Sequence, residues 1–181
     1  FPDKTIYNMM CDLEWDTPVG EAKACGGDVL MRVGAFASAH GFRNDLIAGE
    51  EPELCVRLRA NGWKIWRLDQ EMTLHDAAMT RFSQWWKRTM RAGHAFAEGA
   101  YLHSAPPERH WVSESRRVWV WGLGVPLIAL LLCAISYKLS VLILLAYPLQ
   151  IIRLGLRDAS HGNKAWIMAF FNVLGKFPEV I

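Results

Sequence analysis

The sequence predicts a mixed α/β soluble portion followed by a hairpin of two membrane-spanning helices. Short helix and strand patterns alternate over residues 26–99, and 52% of all residues are apolar, which excludes a disordered chain. The net charge of +2 divides into −3 for residues 1–115, from 13 basic and 16 acidic side chains, and +5 for residues 116–181, from 7 and 2. Between Val118 and Ile152 only Lys138 is charged, which is typical of helices in lipid.

The soluble portion begins with residues 1–24, which show no sustained hydrophobic period, so we expect an irregular lead-in with one short element. Residues 33–39 are mostly small and predict a short helix. Pro52 suits the first position of the next helix, because three glutamates surround it near the positive end of the helix dipole. The Asn-Gly pair that ends at Gly62 is a C-cap signal for that helix, and residues 63–68 alternate as a strand does.

Residues 80–99 predict an amphipathic helix that combines Trp and Phe side chains with four basic side chains. Such a helix suits the lipid headgroup level, where Trp rings lie half in water and basic groups meet anionic ones. The alternative is a Trp pair in an ordinary core with a solvated basic face. Pro106-Pro107 then breaks the chain, which predicts a domain over residues 1–105 and a linker over residues 106–117.

The membrane portion is predicted over residues 118–156. Its first 19 residues, 118–136, correspond to about 28 Å of helix, close to the hydrocarbon thickness of about 30 Å. A turn around Lys138 allows residues 139–156 to return. Four arginines then lie at the same end of the helical hairpin: Arg116, Arg117, Arg153 and Arg157. The positive-inside rule therefore predicts that the soluble portion faces the cytoplasm, at the inner membrane if the cell is bacterial. Residues 157–181 predict an interfacial helix or a truncated third membrane helix.

Other classes of function are not expected. The four cysteines show neither a Cys-x-x-Cys motif nor ligand spacing with histidine, so we expect reduced cysteines that face the cytosol. A nucleic-acid partner is not expected, because the soluble portion has no Lys/Arg-rich face with interleaved aromatic residues. The chain starts at Phe1 without a signal pattern, and we expect it to be a fragment of a longer protein.

Three local features suggest chemistry, each with a plainer alternative. The pair Gly26-Gly27 lets backbone approach a ligand closely, although an ordinary turn has the same composition. Glu50 and Glu51 lie at a predicted helix start. One of these carboxylates could act as a general base if it lies in a cleft, and the plainer alternative is that both only cap the helix. His75 follows a strand, at a position where ligands gather in open α/β sheets, while a single histidine is more often structural.

In their order along the chain, these features resemble the second half of the catalytic domain of family-two glycosyltransferases, which have the GT-A fold. The likeness covers roughly residues 24–100, and its specific part is Gly-Glu-Glu-x-Glu-Leu-Cys-x-Arg-x-Arg-x-x-Gly-Trp over residues 49–63. The resemblance implies that Gly26 and Gly27 border a nucleotide-sugar donor and that Glu51 deprotonates the acceptor hydroxyl, with Glu50 as second candidate. It also implies that His75 helps to hold a divalent metal, Mg or Mn. Glu51 replaces the commoner Asp of the family.

A second likeness lies in the helix predicted over residues 80–99. The segment Gln84-Trp85-Trp86-Lys87-Arg88 is similar to the Gln-x-x-Arg-Trp helix of membrane-bound, processive members of the family. This likeness implies that Gln84, Lys87 and Arg88 contact the donor diphosphate or a lipid headgroup. No Asp-x-Asp metal motif precedes the glycine pair in this sequence, so we expect the chain alone to be inactive.

Together these interpretations predict a membrane-anchored, inverting glycosyltransferase that faces the cytoplasm. It would move a sugar from a nucleotide-sugar donor to a lipid or glycan acceptor and build a glycolipid or cell-surface polysaccharide. The alternative is a non-catalytic membrane protein whose soluble portion binds a partner or a lipid headgroup. Convergence of Glu51 and His75 beside the glycine pair would favour the enzyme, and their separation would favour the alternative.

Overall fold

The computed structural model describes residues 5–70 and 77–181, and it is 64% helical with one two-stranded sheet. The chain forms two compact units. Unit 1 contains the described residues up to Arg81 together with His94–Val112, and unit 2 contains Phe82–Gly93 and Ser113–Ile181. The predicted mixture of helices and strands is present, whereas the GT-A fold stays a prediction.

Unit 1 starts with more regular structure than the sequence predicts. Helix α1 covers Ile6–Trp15, and the side chain of its N-cap residue Thr5 accepts a hydrogen bond from Asn8 N. Strand β1, Gly20–Ala22, pairs antiparallel with β2, Ile65–Arg67. A strand of three residues has no periodic signal, and β1 forms only because a distant segment supplies its hydrogen-bond partners.

The next two helices build the buried centre of unit 1. Helix α2 covers Val33–Ser38, as the small residues predict, and α3 covers Glu50–Ala60. Asn61 is the C-cap of α3 and Gly62 has a φ of +81°, which confirms the predicted end of this helix. The start is two residues earlier than predicted, because Gly49 rather than an acidic residue is the N-cap. Four side chains form the core between the two helices: Ala35, Ala39, Leu54 and Leu58.

Helix α4 covers Phe82–His103, and its residues are divided between the two units. In unit 1, its last ten residues are followed by a turn in which Trp111 stacks on His110, with ring centroids 4.2 Å apart. Phe96 meets Trp111 edge to face at 5.3 Å. These aromatic contacts fix the chain between α4 and the start of the next helix.

Unit 2 contains two helices that are long and apolar enough to cross a membrane. The first covers Val112–Cys133 and consists of α5 (Val112–Val118), a π-helical turn (Trp119–Gly124) and α6 (Val125–Cys133). The second covers Tyr137–Arg157 and consists of α7 (Tyr137–Leu144) and α8 (Ala146–Arg157). In the most apolar 18-residue segment of each helix, only 17% of the first and 11% of the second is buried inside the protein. Most of their apolar side chains therefore face outward. The turn predicted around Lys138 lies earlier, because α7 already starts at Tyr137.

The end of the chain is helical as well. A 3₁₀ turn, Ala159–His161, leads into α9 (Asn163–Leu174) and α10 (Lys176–Glu179). Helix α9 packs on α8, and a Cβ at Gly155 would lie 2.5 Å from the Trp166 ring. The described part of the chain has no third helix that is long and apolar enough to cross a membrane, and the interfacial role of this region stays a prediction.

Candidate functional site

The site begins at the first turn of α3. Gly49 has a φ of +85°, in the left-handed region that favours glycine. A Cβ at this position would lie 2.9 Å from Trp111 Cζ3 and 3.2 Å from Ala95 Cβ. The helix therefore starts at a point that only glycine suits, and this start places Glu50 and Glu51 in its first turn.

Glu51 is held by three hydrogen-bond donors on one carboxylate oxygen. Its Oε1 accepts from Cys25 N at 2.6 Å, from Cys25 Sγ at 2.9 Å and from Cys55 Sγ at 2.9 Å. Cys25 directly precedes Gly26 and Gly27, and Gly26 has a φ of +72°. The structure thus brings the predicted base and the predicted glycine pair to the same place.

An open depression of about 520 Å³ adjoins this carboxylate, and its lining includes both glutamates: Phe42, Arg43, Asn44, Leu46, Glu50 and Glu51. Among residues 5–70 and 77–181, none donates a hydrogen bond to Glu51 Oε2. Since Oε1 is anchored, Oε2 is the oxygen that remains for a proton from a bound hydroxyl. A general base must lie within hydrogen-bond reach of the proton that it removes, and Oε2 is the Glu51 oxygen that could make such a contact.

Arg43 also lines this depression, where its guanidinium is paired with Asp45, and this role was not predicted from the sequence. Its Nε donates to Asp45 Oδ1 at 3.0 Å and its Nη2 to Asp45 Oδ2 at 2.5 Å. The hydrogen bond from Arg43 lowers the pKa of Asp45, and the same bond raises the pKa of Arg43. Both groups stay charged at neutral pH, and a bidentate pair of this kind fixes the guanidinium plane.

Glu53 is the third glutamate of this helix start and is only 2% exposed. It accepts hydrogen bonds from Arg57, at 2.6 Å to Nη2, and its Oε1 lies 2.9 Å from His103 Nε2. Burial opposes its ionisation, yet the bonds to Arg57 and His103 outweigh burial and lower the pKa of Glu53. This carboxylate holds α3 to the end of α4 and does not line the depression.

The two cysteines beside Glu51 form a close cluster that was not predicted from the sequence. Cys25 Sγ, Cys55 Sγ and a Glu51 oxygen lie within 4.8 Å of one another. Two thiols do not fit Mg or Mn, which prefer oxygen ligands. The predicted metal ligand His75 lies outside the described residues, so the divalent metal stays a prediction.

Gln84, Lys87 and Arg88 all lie in the first half of α4, in unit 2, whereas Glu51 lies in unit 1. Their side chains are exposed. Trp85 between them is 6% exposed and packs edge to face on Phe171, with centroids 4.9 Å apart. The tryptophan is therefore a packing residue, and the polar side chains around it are accessible to a ligand.

The described site consists of Glu50, Glu51, the Cys25-Gly26-Gly27 loop and Arg43. Its members come from three stretches of chain that meet at the start of α3. Comparisons with protein-family models, with curated proteins and with solved structures give no match for this chain.

Proposed function

We propose that this chain is part of a membrane-bound, inverting glycosyltransferase in which Glu51 is the general base. One observation carries the proposal: the Glu51 carboxylate is anchored to Cys25, directly before the glycine pair, at the edge of an open depression. A helix cap alone does not require this arrangement, because a capping side chain bonds the amides of its own first turn.

The proposed reaction uses Glu51 Oε2, the carboxylate oxygen that accepts no hydrogen bond from the described residues. Oε2 takes the proton of the acceptor hydroxyl while the hydroxyl oxygen attacks the anomeric carbon of the donor sugar. The bond from that carbon to the diphosphate oxygen breaks, and the nucleoside diphosphate leaves with the bonding electron pair. Negative charge grows on the leaving group, so a fixed guanidinium such as Arg43 would stabilise the transition state.

The remaining roles follow the resemblance. Gly26 and Gly27 would border the donor, because a Cβ at either position would have no atom within 4 Å and a ligand has room there. Gln84, Lys87 and Arg88 would meet the diphosphate or the headgroup of a lipid acceptor. When bound, the Mg or Mn ion implied by the resemblance would neutralise the diphosphate.

The two long apolar helices support a membrane location for this chemistry. An acceptor that is itself a lipid, or a glycan that grows at the membrane, would reach an anchored enzyme by diffusion in two dimensions. The arginines at one end of the predicted hairpin support a cytoplasmic position of the soluble portion, where nucleotide sugars are the donors.

The test is substitution of single glutamates in the full-length protein, assayed in membranes. Transfer of radiolabelled sugar from a panel of nucleotide sugars into the lipid and polymer fractions is measured. We expect Glu51→Gln to reduce transfer by about 10²- to 10⁴-fold, the contribution of a general base, with donor binding retained. Glu21→Gln is the matched control, because Glu21 is exposed and pairs only loosely with Lys64 at 3.7 Å.

Two outcomes would contradict the proposal. Transfer by Glu51→Gln that equals transfer by Glu21→Gln would remove Glu51 from the base role, and Glu50→Gln would then be the next variant. No transfer and no donor binding by the unsubstituted protein, with any nucleotide sugar of the panel, would favour the non-catalytic membrane protein instead.

A further inference from the structure

Two cysteines that are 30 positions apart in the sequence meet beside Glu51. The sulfur atoms of Cys25 and Cys55 are 3.5 Å apart, and both thiols point at the same carboxylate oxygen. No disulfide joins any of the four cysteines, all of which lie in the described residues 5–70 and 77–181. We propose that Cys25 and Cys55 are a redox modification site that closes to a disulfide when a peroxide oxidises it.

The geometry needs little change for this step. A disulfide places its sulfurs about 2.05 Å apart, so the two atoms must approach by about 1.5 Å. Cys55 is fixed on α3 with no exposed surface, whereas Cys25 lies in a loop. The next two residues are glycines that would have no atom within 4 Å of an added Cβ, so the loop has space for Cys25 to move.

The environments of the two thiols assign their roles. Cys25 is half-buried and meets the oxidant first, while Cys55 is fully buried and resolves the oxidised form. The close contact with the Cys25 sulfur raises the pKa of Cys55, and burial and the Glu51 carboxylate raise it further. Cys55 therefore stays protonated at neutral pH and does not react with the peroxide itself.

The reaction balances with one peroxide. Cys25 Sγ attacks one oxygen of hydrogen peroxide, the O–O bond breaks, and the leaving oxygen takes the thiol proton, which gives a sulfenic acid and water. Cys55 Sγ then attacks Cys25 Sγ, the S–O bond breaks, and the hydroxyl leaves as a second water with the Cys55 proton. The two sulfurs lose two electrons together, and the peroxide gains them.

Closure would also change Glu51, an effect that rests on the proposed function. In the disulfide neither sulfur carries a proton, so two of the three donors on Glu51 Oε1 are lost and only Cys25 N remains. The proposed base would then be held by the Cys25 amide alone, and sugar transfer would fall until a thiol reductant restored both thiol donors.

The experiment is peptide mapping of the intact protein in detergent, before and after hydrogen peroxide, with free thiols blocked by iodoacetamide. Trypsin releases Cys25 in residues 24–32 and Cys55 in residues 44–57. We expect a peroxide-dependent species in which these peptides are joined with loss of two hydrogen atoms, and its disappearance after dithiothreitol. Cys55→Ser should abolish this species, while the matched control Cys11→Ser, a second buried cysteine, should leave it unchanged.

Two results would overturn the inference. The first is recovery of both peptides fully alkylated after peroxide, in a protein whose Trp fluorescence shows that it is folded. The second is one tightly bound zinc ion per chain by elemental analysis, whose removal is needed before either thiol reacts. The mapping does not use sugar transfer, so an inactive protein with the cross-link would refute only the proposed function.

Discussion

The glycine at the start of α3 allows a quantitative test of how the candidate site is built. Gly49 and Gly62 flank the same helix, and both have φ values in the left-handed region, at +85° and +81°. A Cβ at Gly62 would have no atom within 4 Å, whereas one at Gly49 would lie 2.9 Å from the ring of Trp111. Gly49→Ala and Gly62→Ala therefore share the backbone strain and differ in the clash.

The magnitudes follow from these two contributions. Alanine in the left-handed region destabilises the folded state by about 1–2 kcal/mol. Replacing glycine also lowers the conformational entropy of the unfolded chain, which offsets about 0.4–1 kcal/mol of that cost. Gly62→Ala should therefore destabilise α3 by about 1 kcal/mol. Overpacking against a rigid ring adds about 1–3 kcal/mol, so Gly49→Ala should cost about 2–4 kcal/mol. Trp111 has little room to move, because it stacks on His110 and meets Phe96.

Cys55 is a built-in reporter for the assay, since it lies on α3 and is fully buried. Its alkylation under reducing conditions, followed by mass spectrometry, measures how often α3 opens. At a tenfold change for each 1.4 kcal/mol, labelling should be about 5-fold faster in Gly62→Ala and about 30- to 700-fold faster in Gly49→Ala. Equal rates in the two variants would refute the packing of Trp111 against this helix start.

Two further predictions concern burial of charge and location. Glu53→Gln should lower stability by about 1–3 kcal/mol at pH 7, because it removes the partner of Arg57 and His103. The pKa of Glu53 is lowered in the folded state, so its contribution is present above the unfolded pKa of about 4.3 and is lost as the pH falls through the folded value. Thermal unfolding followed by Trp fluorescence should therefore show a difference from the unsubstituted protein that shrinks below about pH 4, and a constant difference would contradict this assignment. Cys133 is exposed in the structure and lies in a predicted span, so a charged maleimide should label it in the protein denatured by SDS and urea but much more slowly in intact membranes. Equal labelling rates in the two conditions would contradict burial of this residue in lipid.

The helices that the sequence predicts well are those with local signals. The Asn-Gly pair after Ala60 ends α3 as predicted, and the charge-free stretch predicts the two long apolar helices to within several residues. The first of these helices starts earlier than predicted, because α5 begins six residues before Val118. Those six residues include two arginines and a glutamate, so the hydropathy pattern does not assign them to an apolar helix. Local composition thus predicts that a helix exists better than it predicts where the helix starts.

Several of the missed features depend on partners far along the chain. Two of the three donors on Glu51 come from Cys25, 26 positions earlier, and one partner of Glu53 is His103, 50 positions later. The requirement for glycine at position 49 also comes partly from the Trp111 ring, which a Cβ at this position would meet. Trp111 lies far along the chain, so no sequence period links the two residues. Periodicity and capping rules describe neighbours in sequence, so they give no information on such contacts.

Unit 1 is discontinuous in sequence, and this has a consequence for synthesis of the chain. Its last segment ends at Val112, which is also the first residue of the first long apolar helix. Because the ribosome adds residues in order, unit 1 cannot be complete before His94–Val112 has been made, and Glu53 has no His103 to pair with until then. At about 5–20 residues per second, the 22 residues of the apolar helix follow within about 1–4 s. Completion of unit 1 and synthesis of the first long apolar helix therefore follow each other within seconds during translation.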